Sequence, residues 1–215
     1  MDTTGKSGSS VLLFQDKVLK VERESEETDR EIHIMEWLKE RRYMELNTKR
    51  LLLRPLGMNY LQTTCGYALD VENTRYMVHL PNETVEETEE FLKGIDVEWE
   101  KEQPSFYEFA ILLNGVHIGA VSIYLEEDRR AGELGWILNK KYWGQGFTTE
   151  AAKAVMDFAV KQLGVKHFVA HCDSENIGSY KVMEKLGMHL TDSYWGRKNR
   201  SSNEDRKELK YEMTV

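Results

Sequence analysis

Gly132-Glu-Leu-Gly-Trp-Ile-Leu138, then Asn139-Lys-Lys-Tyr-Trp-Gly-Gln-Gly-Phe-Thr-Thr149, then an amphipathic run to Leu163 is the stretch that decides the fold. The first part reads as a strand. The last reads as a helix over 149–163, with Ala152, Val155, Phe158, Ala159 and Leu163 on one face. Between them, Gly144 and Gly146 let the backbone approach a ligand without a Cβ in the way. The first N–H groups of such a helix have no internal partner. Its dipole adds about half a positive charge at that end. A pyrophosphate fits such a cradle. Two commoner phosphate motifs fail. The dinucleotide fingerprint requires a third glycine, where this chain has Thr149. Gly5-Lys6-Ser7 mimics the end of a P-loop, but no strand precedes it.

Upstream, residues 48–55 read as a strand ended by Pro55, and 59–70 as a helix. Thr84 and Glu87 form a capping box that opens a helix running to about residue 101. Residues 105–113 and 116–125 are strands joined at Asn114-Gly115, a strong hairpin signal. Downstream, 167–172 is a strand, 177–186 a helix closed by Gly187, and 189–195 and 206–213 two more strands. This order predicts an α/β (α+β) domain over 47–215. Its sheet should be mixed, twisted and mostly antiparallel, flanked by helices, with one parallel step around the 149–163 helix.

Residues 1–46 differ in character. Val11-Leu-Leu-Phe14 and Val18-Leu-Lys-Val21 read as a hairpin, and Ile32-His-Ile-Met-Glu-Trp-Leu38 as a short amphipathic helix. A hairpin and one helix bury too little surface to stand alone. This extension is expected to dock on the main domain or to form a homodimer contact.

Composition bounds the function. The chain has 215 residues, 40% of them apolar. No apolar run approaches the ~20 residues of a membrane span, and the polar start lacks the pattern of a secretory signal. A cytoplasmic protein without a membrane partner is expected. The two cysteines, Cys65 and Cys172, lie far apart and should be free thiols. The six histidines include no pair at ligand spacing on a helix, so no metal is expected. A net charge of −8 argues against nucleic acid as a partner. It suits a cationic substrate.

Tyr142-Trp-Gly-Gln-Gly-Phe-Thr-Thr-Glu-Ala151 resembles the acetyl-CoA pyrophosphate loop of the GNAT acetyltransferases, and is most similar to their Rim-type ribosomal-protein branch. Three further pieces agree in order: Leu51-Leu-Leu-Arg-Pro55 with the family's first strand, Gly132 to Leu138 with its cofactor-facing strand, and Asn176-Ile-Gly-Ser-Tyr-Lys-Val-Met-Glu-Lys-Leu-Gly187 with its final helix. The resemblance spans 47–215 and implies a GNAT fold and an acetyl-CoA-dependent N-acetyltransferase. It implies that amides from Trp143, Gly144, Gln145, Gly146, Phe147 and Thr148 receive the pyrophosphate. Lys141 stands where the family loop begins with Gln or Arg.

By the same resemblance, the backbone of Trp136, Ile137 and Leu138 pairs with the pantetheine arm, and Asn176 touches the cofactor from the other side. Glu133 matches a general base of some members; others work through water chains. The tyrosine that often protonates the departing thiolate is replaced by Met183, and Ser179 takes that role in the Rim-type branch. His171 and Asp173 are secondary base candidates. The Leu138 N–H is the expected oxyanion donor. Trp99, Tyr107, Tyr124 and Trp195 are candidates for an acceptor pocket or for the core, and 197–205 for a mobile loop at the acceptor site. The acceptor is an amine, either a peptide N-terminus or a small molecule such as a polyamine or aminoglycoside. A non-catalytic acyl-CoA-binding sensor is the alternative. Residues 8–40, with Lys20, resemble the start of an aminoglycoside phosphotransferase, but the aspartates of a kinase site are missing, so that activity is not expected.

Overall fold

A computed structural model describes residues 9–14, 17–22 and 44–215. The chain divides into two compact units, Met1–Arg42 and Tyr43–Val215. In the first, strands β1 (Ser9–Phe14) and β2 (Lys17–Glu22) pair antiparallel, with Phe14 opposite Lys17. The amphipathic helix expected over 32–38 lies outside the described residues.

The second unit runs β3 (Leu46–Asn47), β4 (Leu51–Pro55), α1 (Leu61–Ala68), α2 (Val71–Thr74), α3 (Val85–Trp99), β5 (Phe106–Leu113), β6 (Val116–Leu125), β7 (Ala131–Leu138), α4 (Phe147–Phe158), β8 (His167–Asp173), α5 (Ile177–Lys185), β9 (His189–Arg197) and β10 (Arg206–Thr214). Its eight strands lie in the order β3-β4-β5-β6-β7-β8-β10-β9. Every neighbouring pair is antiparallel except β7–β8. This is the mixed, mostly antiparallel sheet that the sequence predicts.

Local chemistry explains the boundaries. Asn114 and Gly115 have φ of 50° and 80°, which matches the twist of the β5–β6 hairpin. The single helix expected over 59–70 is broken: a 3-10 turn precedes α1, and Asp70 starts α2 by accepting the Asn73 N–H at 3.0 Å. Thr84 caps α3 through the Glu87 N–H, and the Glu87 carboxylate returns to the Glu83 N–H rather than to that of Thr84. Helix α4 begins two residues before the expected Thr149, because Gly146 caps it with φ of 78°. Its tail, Ala159–Leu163, widens to a π turn before Gly164.

Alternation along β5 sends Tyr107 and Phe109 to one face of the sheet, where Trp99 of α3 and Phe158 of α4 meet them edge-on at 5.2–5.6 Å. Trp99 and Tyr107 are therefore core residues. Glu108 points to the opposite face, with Ser122 and Tyr124 of β6. The segment 197–205, expected to be mobile, is tied down. Arg197 Nη2 donates to the Tyr76 carbonyl at 2.9 Å, the Arg200 N–H donates to the Met77 carbonyl at 2.9 Å, and Arg200 Nη2 meets Glu87 at 3.0 Å.

Candidate active site

The parallel ladder between β7 and β8 covers only Ala131–His167, Gly132–Phe168 and Glu133–Val169. Beyond it the two strands part. One edge of β7 stays paired with β6 as far as Leu138. The other edge, from Leu134 onward, has no strand beside it among the described residues. Trp136, Ile137 and Leu138 thus offer backbone groups to an extended arm, as an edge strand does. A cavity of about 1160 Å³ passes through this gap, lined on the α4 side by Gly144, Gly146, Thr148, Asn176 and Ser179. On the other side it is lined by Glu108, Ser122, Tyr124, Glu133 and His171.

The end of β7 is held firmly. The Leu138 carbonyl accepts from the Trp143 indole at 2.7 Å and from Asn73 Nδ2 at 3.2 Å. The Asn73 Oδ1 accepts the Lys140 N–H at 2.6 Å. The chain then makes a 3-10 turn, in which the Trp143 N–H donates to the Lys140 carbonyl at 3.2 Å. That amide is spent internally, which narrows the expected cradle to residues 144–148. Gly144 and Gly146 both sit in the left-handed region, at φ of 75° and 78°. The first α4 backbone bond is from the Glu150 N–H to the Gly146 carbonyl, so the Phe147, Thr148 and Thr149 amides have no partner inside the helix.

An acid in this first turn would repel an anion. Glu150 is that acid, and Arg50 neutralises it: Nε lies 2.6 Å from Oε2, and the Arg50 N–H donates to Oε1 at 2.8 Å. Burial alone would raise the Glu150 carboxyl, but Thr48 and Arg50 outweigh it and hold the group below its usual range. Arg50 Nη1 also donates to the Gln145 carbonyl at 3.0 Å, and its guanidinium lies 4.4 Å from the centre of the Phe147 ring. The loop is thereby braced from β4's approach. Sequence reasoning missed Arg50, because the partners are about a hundred positions apart.

Asn176 caps α5, its Oδ1 accepting the Ser179 N–H at 3.2 Å, which leaves Nδ2 as its free donor. Ser179 lies beside Cys172, whose buried thiol is pushed up to about 11 by desolvation. Both cysteines are free.

Glu133 is exposed on β7. It is not alone. Its Oε1 lies 2.9 Å from Nδ1 of His171 on β8, so the pair straddles the gap. The Glu133 hydrogen bond raises the His171 pKa, against the opposing effect of burial. With Nδ1–H given to Glu133, a neutral His171 keeps Nε2 as a proton acceptor. Asp173 is a different matter. It is fully buried and accepts from Arg206, Asn199 and the Glu175 N–H. Burial would raise its pKa, but these partners hold it below the usual carboxylate range. It is a structural anion and not a base. Tyr124 lines the cavity, while Trp195 is exposed on β9 away from it. Among the described residues no cluster suits a metal, and no helix is long and apolar enough to cross a membrane.

A strand edge that opens beside a glycine-bearing helix start suits an extended ligand that carries an anionic group. Residues 50–189 match the family model described as the acetyltransferase (GNAT) domain, and the chain belongs to that family. Acetyl-CoA is the donor that this membership implies. The chain is 30% identical over 152 residues to the uncharacterized N-acetyltransferase YnaD of Bacillus subtilis, covering 67% of this chain and 82% of that one. A GNAT-family acetyltransferase structure from Bacillus anthracis superposes with TM-score 0.68 at 25% identity, covering 80% of this chain and 98% of that chain. RimL, a ribosomal L7/L12 alpha-N-protein acetyltransferase solved with coenzyme A, superposes with TM-score 0.70 at 17% identity over 80% and 98% of the two chains.

Proposed function

We propose that this protein transfers acetyl from acetyl-CoA to a primary amine by direct attack. The observation that carries this reading is the open β7 edge between the α4 N-terminus and the Glu133–His171 pair. The amides of residues 144–148 hold the pyrophosphate. The β7 edge takes the pantetheine arm, which delivers the thioester into the gap. Asn176 Nδ2 contacts the arm from α5. The acceptor ammonium gives a proton to His171 Nε2, and Glu133 stabilises the resulting imidazolium. The amine lone pair then attacks the carbonyl carbon. The C–N bond forms, the C–S bond breaks, and the proton that the acetylated nitrogen must lose passes through Ser179 to the departing thiolate.

The fit of the cradle is testable apart from turnover. Gly146→Val forces a side chain into the left-handed region, at about 1–2 kcal/mol of strain. The free loop relieves that strain by leaving the left-handed region, and restoring the cradle on binding costs the same energy, so calorimetry should show acetyl-CoA bound about 5–30-fold more weakly. Gly164→Val has a similar backbone, φ of 76°, far along the chain from the cradle. It should lose stability comparably and bind acetyl-CoA as before.

The reaction itself is tested by mass spectrometry of acetyl transfer to a mixed panel of peptides with free N-termini, polyamines and aminoglycosides. Acetylation of any class is the expected result. Tight acetyl-CoA binding with no transfer to any amine would leave an acyl-CoA sensor. Absence of binding would overturn the reading.

A further inference from the structure

The acceptor side of the cavity holds a second carboxylate that the chemistry at Glu133 does not use. Glu108 sits in the middle of β5, opposite Ser122 of β6, which in turn lies opposite Gly135 of β7. It is only 7% exposed, yet it lines the cavity. The Tyr124 hydroxyl donates to its Oε2 at 3.3 Å, and the Ser122 hydroxyl also bonds to it. Among the described residues no ion pair reaches Glu108, whereas Glu133 is matched by His171 and Glu208 by Arg197. Gly135 keeps the approach open, since a Cβ there would stand 2.7 Å from the Ser122 hydroxyl oxygen.

A carboxyl group in such a place is costly. Burial pushes it up to about 7, and the two hydroxyls only partly offset this. Its neighbours along β5 are aromatic or aliphatic, so packing alone gives no reason for an acid here. An incoming cation would supply the missing charge. The spacing says which cation. Strand β6 separates Glu108 from β7, about 10 Å across the sheet, and Glu133 lies two residues further along, about 7 Å. The two Cα atoms are therefore roughly 12 Å apart, with both side chains on the same face. Tyr124 stands between them, directly opposite Glu133 and bonded to Glu108, its ring stacked on Phe106 at 4.8 Å. An exposed aromatic face there suits an alkyl chain carrying a cation.

We propose that Glu108 is the specificity-determining residue of the acceptor site, receiving the second ammonium group of a short aliphatic diamine while the first lies at Glu133 and His171. This deepens the amine acetyltransferase reading and rests on it. Residues 76–79 and Arg197 also line the cavity, and the bonds of Arg197 and Arg200 to Tyr76 and Met77 hold that wall in place, which favours a small acceptor.

The test uses diamines with about four to eight methylenes, the range that bridges positions this far apart, and n-alkylamines of matched length. Binding is measured by calorimetry on the full chain saturated with coenzyme A, and KM and kcat by acetyl transfer, for wild type and Glu108→Gln. The best diamine should bind at least about 10-fold more tightly than its matched monoamine, the scale of one charged hydrogen bond. Its KM should be lower by a similar factor. In Glu108→Gln the ratio should fall to near unity, while acetyl-CoA affinity, the check on folding, stays unchanged. Equal binding of diamine and monoamine to the wild type overturns the assignment whether or not the variant folds. So does a preference that survives in Glu108→Gln. Amine acetylation without a diamine preference removes the role of Glu108 and leaves the acetyltransferase reading. Diamine-selective binding that needs Glu108, with no transfer to any amine, does the reverse.

Discussion

Replacing His171 with phenylalanine is expected to lower kcat about 10²–10⁴-fold, the usual range for a positioned general base, and replacing its partner Glu133 with glutamine is expected to lower it less. The two variants should differ in their pH profiles. Glu133 holds the His171 pKa above the ordinary value of 6.5. His171 accepts a proton only when neutral. The wild-type rate should therefore rise with pH through a midpoint above 6.5. In Glu133→Gln the negative partner is gone, so this limb should move to lower pH even as the plateau falls. In His171→Phe the limb should vanish. Stability runs the other way. A histidine whose folded pKa is raised contributes stability that is fully present below its unfolded value and is lost as pH rises through the folded one. The pair is thus loosest at the pH where the base works best. Rate–pH profiles of the three proteins decide the matter. A profile unchanged by both substitutions, with rates within about 10-fold of wild type, would assign proton removal to a water chain instead.

The strand-turn-helix unit beside this gap was legible in the sequence because its determinants are local. Gly144, Gly146 and the apolar stripe of α4 lie within one strand-turn-helix unit, and backbone geometry follows from residue type over such short spans. The Asn114-Gly115 turn and the Thr84 cap were legible for the same reason. What escaped were partnerships made across the sheet. Nothing in the spacing of Arg50 and Glu150 announces that they meet, and the Glu133–His171 pair depends on the register of the one parallel ladder. The helix expected over 59–70 failed on a local signal that was present, since Asp70 is a strong N-cap residue and restarts the helix there. Glu108 carried a signal too. A lone acid within Phe106-Tyr-Glu-Phe-Ala-Ile-Leu-Leu113 is out of place in a buried strand unless something uses it.

Asp173 shows how one register position can decide between chemistry and support. It stands two residues after His171 on β8, so both side chains point to the same face. Yet Asp173 is enclosed by Arg206 Nε at 3.0 Å, Asn199 Nδ2 at 2.6 Å and the Glu175 N–H at 2.8 Å. Asp173→Ala would leave Asn199 buried without its acceptor and Arg206 with only the exposed Glu175 and Glu204. The expected loss is about 3 kcal/mol, the lower end for breaking a buried pair, because Arg206 keeps those two partners. The folded pKa of Asp173 lies below its unfolded value. Its contribution is therefore present above about pH 4 and is lost as pH falls through the depressed folded value. Denaturant melts across acid pH should show a flatter decline in Asp173→Ala than in wild type. A functional loss should accompany the structural one. The Glu175 N–H donates to Asp173 Oδ1 at 2.8 Å, so the turn that leads into the α5 cap is held by this side chain, and α5 carries Ser179 at the gap. Weakened acetyl-CoA binding with the acid limb of the rate profile unmoved is what a supporting anion predicts; a shift of that limb would return Asp173 to the list of bases.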